Sequence, residues 1–213
     1  MKNKILLLLF VLPLVTSCVK TKELNVPEDL KGWFVDEDKS QFTMVDENGI
    51  SQEFRISSVG QSMLPGDSYF MFVHTDSYLN ENLYQSGTIS YFEGLALNLC
   101  VTEYLKDTYF CLTLFDVAFT IPYSEGEFHT DSGNLFFTDN TLNGSQSTFR
   151  VEFLDSHEVN GVVYHDVMHV MVTDFDFYHR PYFPSEFYYA KHYGPIEYVL
   201  GGKVRAKRAA CEF

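Results

Sequence analysis

Glu125-Gly-Glu127-Phe-His129-Thr-Asp131 sets four polar side chains at alternate positions. In an extended strand all four share one face. Carboxylate oxygens and imidazole nitrogens both suit divalent cations, and neighbours such as Glu127 and His129 fit one ion between them. A metal-dependent hydrolase is the enzymatic reading of Glu125, Glu127, His129 and Asp131. A solvated strand edge is the plainer one. His165-Asp166-Val-Met-His169 would suit zinc on a helix, where histidines four apart share a face. Residues 161–173 read as a strand, however, which separates the two by roughly 13 Å. Paired carboxylates for glycoside hydrolysis must stand about 5–9 Å apart in space, and 29 acids along a chain do not establish that. The sequence holds no Gly-x-Ser-x-Gly, no phosphate-cradling glycine loop and no Cys-x-x-Cys. No cofactor is expected, and the chain reads as a non-enzyme.

The stretch from Tyr178 to Tyr193 is the best binding candidate. Arg180, Tyr182, Tyr188 and Tyr189 on a loop would stack on a glycan or grip an apolar ligand. The plainer reading has these rings capping the end of a β core. Cys100 and Cys111 lie on two apolar runs, Leu95–Tyr104 and residues 108–119. In a hairpin they face each other within about one residue of register, which permits a disulfide. A two-residue turn at Lys106-Asp107 would instead pair Cys111 with Thr102.

Elements that could position these residues are mostly strands. Phe and Tyr number 20 and 14, a composition that favours β-structure over disorder. Asn48-Gly49, Asn143-Gly144 and Asn160-Gly161 mark turns, because Asn-Gly tolerates the positive φ of a type I′ hairpin. Phe149, Val151 and Phe153 alternate with Thr148, Arg150 and Glu152. Residues 109–119 are apolar on both faces, as in a strand covered on both sides. Gly60-Gln-Ser62 reads as a turn, and Asp36-Glu37-Asp38 as a charged one. The predicted fold is all-β: an antiparallel meander curled into an open barrel or packed as a sandwich, in one domain over residues 32–213. The basic tail from Lys203 to Arg208 reads as a solvated last strand or frayed end; contact with an anionic surface component is the second reading.

The chain opens with Lys2 and Lys4, an apolar run over residues 5–15, then Thr16 and Ser17. This is a secretory signal over residues 1–17, shorter than the roughly 20 residues of a membrane span. The ending Leu14-Val15-Thr16-Ser17-Cys18 resembles the lipobox of bacterial lipoproteins. That resemblance implies cleavage before Cys18 and lipid on its thiol, with residues 18–31 as a polar tether. Val19, rather than Asp, follows the cysteine; by analogy with lipoproteins that Asp retains at the inner membrane, this points to the outer membrane. Cleavage leaves 196 of the 213 residues, enough for a core, and removes two lysines, taking the net charge from −14 to −16. Such a charge excludes nucleic acid as a partner, and excludes docking on anionic lipid by charge alone.

Val159-Asn160-Gly161-Val-Val-Tyr164-His-Asp166-Val167, followed by Phe187-Tyr188-Tyr189-Ala190-Lys191-His-Tyr-Gly194-Pro-Ile196, resembles a pattern in predicted lipoproteins of Bacteroidetes-type bacteria. The hairpin around Asn48-Gly49 is similar to the same group. The resemblance implies an antiparallel β-domain in the cell envelope and no active site. Tyr188-Tyr189-Ala190-Lys191 with Gly194 is also similar to the closing strands of periplasmic lipid-carrier-like sheets, although helices to line such a cavity are missing from the pattern. The expected partners are the membrane, through Cys18, and an envelope protein, an apolar ligand or a glycan.

Overall fold

The computed structural model describes residues 21–70, 73–90, 95–104, 107–115, 117–130, 134–137, 148–173 and 184–210. The strands are β1 (Thr21–Leu24), β2 (Gln41–Asp46), β3 (Ser51–Ile56), β4 (Gly60–Phe70), β5 (Val73–Ile89), β6 (Leu95–Tyr104), β7 (Asp107–Leu114) and β8 (Val117–Ser124). They continue as β9 (Glu127–Phe128), β10 (Asn134–Phe137), β11 (Thr148–Val159), β12 (Val162–Thr173), β13 (Pro184–Ala190), β14 (Gly194–Leu200) and β15 (Val204–Arg208). Two short helical turns lie between β1 and β2: α1 (Glu28–Lys31) and a 3-10 turn over Glu37–Lys39.

Local turn chemistry sets the clearest hairpins. β2 and β3 pair across Asn48-Gly49, with Val45 opposite Ser51. β11 and β12 pair across Asn160 and Gly161, whose φ angles are +50° and +80°. Both are left-handed, as the twist of a two-residue hairpin requires. The strands form one path, β10-β8-β7-β6-β5-β3-β2-β15-β14-β13-β12-β11, with β1, β4 and β9 added at its sides. The sheet does not close into a barrel; its two halves face each other as a sandwich.

Aromatic rings fill the space between the halves. Phe119 of β8 lies 5.8 Å from Phe187 of β13 and 5.8 Å from Phe149 of β11. Phe128 stacks on Phe153 at 4.7 Å, and Phe115 meets Tyr198 edge-on at 5.2 Å. Trp33 sits among Phe110, Phe128 and Tyr189 at 6.0–6.4 Å. Offset and edge-on pairs at these separations are the favourable ring geometries.

Three sequence expectations change. Residues 21–31 are built into the domain instead of forming a spacer: β1 pairs parallel with β5, and Val26 and Leu30 are core residues. The run 108–119 is two strands, broken where Phe115 turns with φ +53°. The basic tail is a central strand, since β15 pairs with β14 on one side and β2 on the other. Arg208 is 3% exposed there, with its guanidinium 3.9 Å above the Phe42 ring.

Gly194 has φ +80°, and a Cβ there would meet Val35 Cγ2 at 2.7 Å. Gly49 has φ +79° but open space around it. Gly194→Ala should therefore cost roughly 2–3 kcal/mol, strain plus overpacking, against about 1 kcal/mol for Gly49→Ala. Urea midpoints of the two variants check this; equal losses would mean that Val35 yields freely.

Candidate functional site

Asp36 and His192 line a cleft of about 920 Å³ at one mouth of the sandwich. Asp36 ends the N-terminal segment and His192 lies in the turn between β13 and β14. Asp36 Oδ1 bonds His192 Nδ1 at 3.0 Å, and Lys39 Nζ donates to Asp36 Oδ2 at 2.6 Å. The Asp36 N–H donates to the His192 carbonyl at 3.0 Å, and the His192 N–H donates to Gly32 O at 2.8 Å. Burial pushes the Asp36 carboxyl up, but the Lys39 and His192 hydrogen bonds outweigh it and hold the group below its ordinary value.

His192 and Asp166, which both line the cleft, have left-handed backbones with φ +65° and +51°. Non-glycine residues hold that conformation only where their surroundings fix it, and such residues gather at functional sites. The Lys191 N–H donates to the Asp166 carbonyl at 3.2 Å, and its ammonium lies 5.4 Å from the Trp33 ring centroid. A smaller pocket of about 190 Å³, lined by Trp33, Phe128 and Phe153, shares Asp29, Asp166 and Lys191 with the cleft.

A second polar constellation runs across five strands. Register places Glu152 of β11 opposite His169 of β12, His169 opposite Tyr188 of β13, Tyr188 opposite Glu197 of β14, and Glu197 opposite Lys207 of β15. The Tyr188 ring is sandwiched between His157 at 4.0 Å and His169 at 4.1 Å, each within 4° of parallel. Glu186 Oε1 takes the Tyr188 hydroxyl at 3.0 Å and bonds His169 Nε2 at 2.9 Å. Glu197 bonds His157 at 3.0 Å and accepts from Arg205 Nη1, while Arg205 Nη2 reaches Glu186 at 3.2 Å. Burial, then Glu186, pushes the Tyr188 hydroxyl up to about 12, so it serves as a proton-bearing donor at neutral pH. Burial also raises the Glu197 carboxyl, but His157, Arg205 and Lys207 overcome this and keep it below its usual range.

The fold divides the aromatic candidates. Tyr188 is in the outer-face row, whereas Tyr189 is fully buried and donates its hydroxyl to Trp33 O at 3.0 Å. Arg180 and Tyr182 lie outside the described residues, as do Cys18 and Asp131. Glu125 and Glu127 are exposed around the β8–β9 turn, and His129 Nε2 bonds Ser124 Oγ at 2.6 Å. Among the described residues no three His, Cys, Asp or Glu side chains gather as a metal site. Cys100 stands directly opposite Cys111, because the last pair of that hairpin is Tyr104 with Asp107, not the pairing a Lys106-Asp107 turn would give. The Cys111 sulfur accepts from Thr120 Oγ1 at 3.4 Å. Sequence reasoning did not find the Asp36–His192 pair, which spans 156 positions, or the row through Glu197.

The chain matches no family model, no curated protein and no solved structure. Its chemistry is therefore read from its own residues.

Glu197 contributes stability above the usual carboxylate range and loses it as pH falls through its lowered pKa. The wild-type thermal midpoint should drop on acidification below about pH 4. Glu197→Gln should be less stable at pH 7 by about 2 kcal/mol and lose less over that acid range. Thermal melts of both proteins from pH 7 to pH 3 make the comparison; parallel curves would show that this carboxylate is not held down.

Proposed function

We propose that this chain is a lipid-anchored envelope protein with a non-enzymatic binding or assembly role, and that the end cleft is its recognition surface. The observation that carries this reading is the filled interior. Rings from the two halves interlock between the described strands, so a ligand or partner is met at the surface. The alternative that the aromatic stretch suggested is a carrier or sensor of an apolar ligand or glycan; this packing weighs against carriage of an apolar ligand inside the sandwich. The cleft has the size of an ordinary small-ligand site or of a pocket for one protruding side chain. Its walls carry Glu28, Asp29, Asp36 and Glu37 against Lys31 and Lys191, a mainly acidic lining that favours a polar or cationic group. Asp36 and His192 are already bonded to each other, which fixes the walls before anything binds and lowers the ordering cost of association. Placement in the envelope rests on the lipobox-like ending at Cys18 and the signal before it.

Two measurements test the proposal. Cys18→Ser should move the protein from the membrane fraction to the soluble one. A photo-crosslinking residue at Ser58 or Val59, on the cleft wall, should yield a discrete adduct in the native envelope, while one at Lys207 on the outer face should not. Adducts only from position 207 would transfer the role to the Tyr188 row, and a membrane-bound Cys18→Ser protein would remove the lipid anchor.

A further inference from the structure

We propose that the small aromatic pocket beside the cleft receives an alkylammonium group, and that Lys191 holds the place of that group when no ligand is bound. The inference rests on the end of the sandwich as the recognition surface and names the chemistry met there. The pocket measures about 190 Å³. Whole small ligands take roughly 300–1,000 Å³, so this pocket accepts one end group. The rest of the ligand lies in the adjoining cleft, with which the pocket shares Asp29, Asp166 and Lys191.

Aromatic rings form its walls. Trp33 stands edge-on to Phe153 at 5.9 Å and to Phe128 at 6.0 Å, with interplanar angles of 70° and 81°. Phe128 and Phe153 stack on each other at 4.7 Å, so the three rings make a corner rather than a flat layer. Phe153 is 43% exposed although it packs on both others, and the corner is open to solvent on its side. Among aromatic side chains the indole face attracts a cation most strongly. Lys191 already uses it, with its ammonium 5.4 Å from the Trp33 ring centroid. The chain itself thus sets one butylammonium group, a lysine side chain, against this wall.

The carboxylates around the rings exceed the charge that Lys191 brings. Leu154 pairs with Val167 and Ser156 with His165, so Asp155 and Asp166 fall opposite each other between these pairs. Both line the pocket, as does Asp29. Like charges that face each other across two strands are unfavourable, and a cation beside them relieves the repulsion. Among the described residues neither Asp155 nor Asp166 has a side-chain hydrogen bond or ion pair, and the Lys191 ammonium pairs with no carboxylate. A metal ion does not answer this charge, because no three His, Cys, Asp or Glu side chains among the described residues converge as ligands. Dispersed carboxylates beside ring faces suit an organic ammonium instead. Its alkyl part packs on the rings while its N–H groups reach the carboxylates.

The test titrates n-butylammonium, the chemical equivalent of the Lys191 side chain, into the full mature protein. Trp33 is the single tryptophan and a wall of the pocket, so its emission reports occupancy. The emission should change saturably at about millimolar amine, whereas 1-butanol and butyrate leave it unchanged. Lys191→Met keeps an unbranched side chain, removes the resident charge and should bind the amine about tenfold more tightly. Asp155→Asn with Asp166→Asn should bind it about tenfold more weakly. The melting midpoint of that variant should equal or exceed the wild-type value, since repulsion between the strands is relieved. An equal response to 1-butanol overturns ammonium recognition, as does a butyrate response that Lys191→Met abolishes. No response to the amine in wild type and Lys191→Met also overturns it. A lysine-containing tripeptide that binds more tightly than butylammonium supports a polypeptide as the source of the ammonium, and weaker binding supports a free amine. A crosslinked adduct at Ser58 without any amine response overturns the ammonium site and leaves the cleft as the recognition surface. An amine response without the adduct supports the site and overturns the cleft as the place where a partner is met.

Discussion

An irregular backbone segment inside a β-sandwich must find partners for its N–H and C=O groups, and β5 supplies those of Val26 and Val35. Gln85 offers an amide to Val35: its Oε1 accepts from the Val35 N–H at 2.8 Å, and its Nε2 donates to the Val35 carbonyl at 2.9 Å. Glu81, four residues earlier, accepts from the Val26 N–H at 2.7 Å and from Gln61 at 2.7 Å. Leaving such groups unpaired would cost about 1–3 kcal/mol each. These two side chains seat the residues that carry Leu30, Trp33 and Phe34 into the core and Asp36 to the cleft. The cleft wall, the Trp33 cluster and the His192 turn all depend on that seating.

A second constraint is the seam between the halves. Three residue pairs, Ala206 with Asp46, Lys207 with Val45 and Arg208 with Met44, join β15 to β2 in the sheet path, flanked by backbone bonds from Ala209 to Thr43 and from Glu47 to Arg205. Arg208 reinforces this short contact from several directions. Its guanidinium donates to Tyr193 O and, at 3.3 Å, to Lys39 O, and it covers Phe42. Asn160, in the β11–β12 turn, donates to the Arg208 carbonyl at 2.8 Å. A buried arginine is tolerable because carbonyls and a ring face replace its water. The arrangement ties the cleft segment, the β13–β14 turn and a distant hairpin to one strand.

What the sequence disclosed was whatever is decided locally. Asn160-Gly161 states its own turn, and the alternation of Phe149, Val151 and Phe153 states which face is covered. The sandwich was within reach of that reading, because residues 109–119 are apolar on both sides. Long-range register was not. Glu152, His169, Tyr188, Glu197 and Lys207 align only because four successive pairings each hold one register, and a slip by one residue in any of them would turn its strand over. Gly60 was misleading for a packing reason: it opens a strand, and its missing side chain leaves room for the Tyr84 ring, which a Cβ would meet at 2.3 Å. Pro65 fits β4, whose one described partner is β5. The basic tail seemed solvated because the acids that pair with Arg205 come from other strands.

The Gln85 pairing and the β2–β15 seam share a consequence for the order in which the chain can acquire its shape. Tyr189 and His192 reach Trp33 and Asp36 across 156 positions, and β2 waits for residues 204–208 to complete its second edge. Ribosomal synthesis delivers the first of these partners long before the last. Through most of its elongation the nascent polypeptide exposes hairpins with open edges and a tryptophan whose pocket is half made, a state prone to mispairing. High sequence separation of this kind slows folding, and here it defers closure until residues 204–208 have emerged. A chaperone that shields β5 to β8 during that interval would act on the step most open to error.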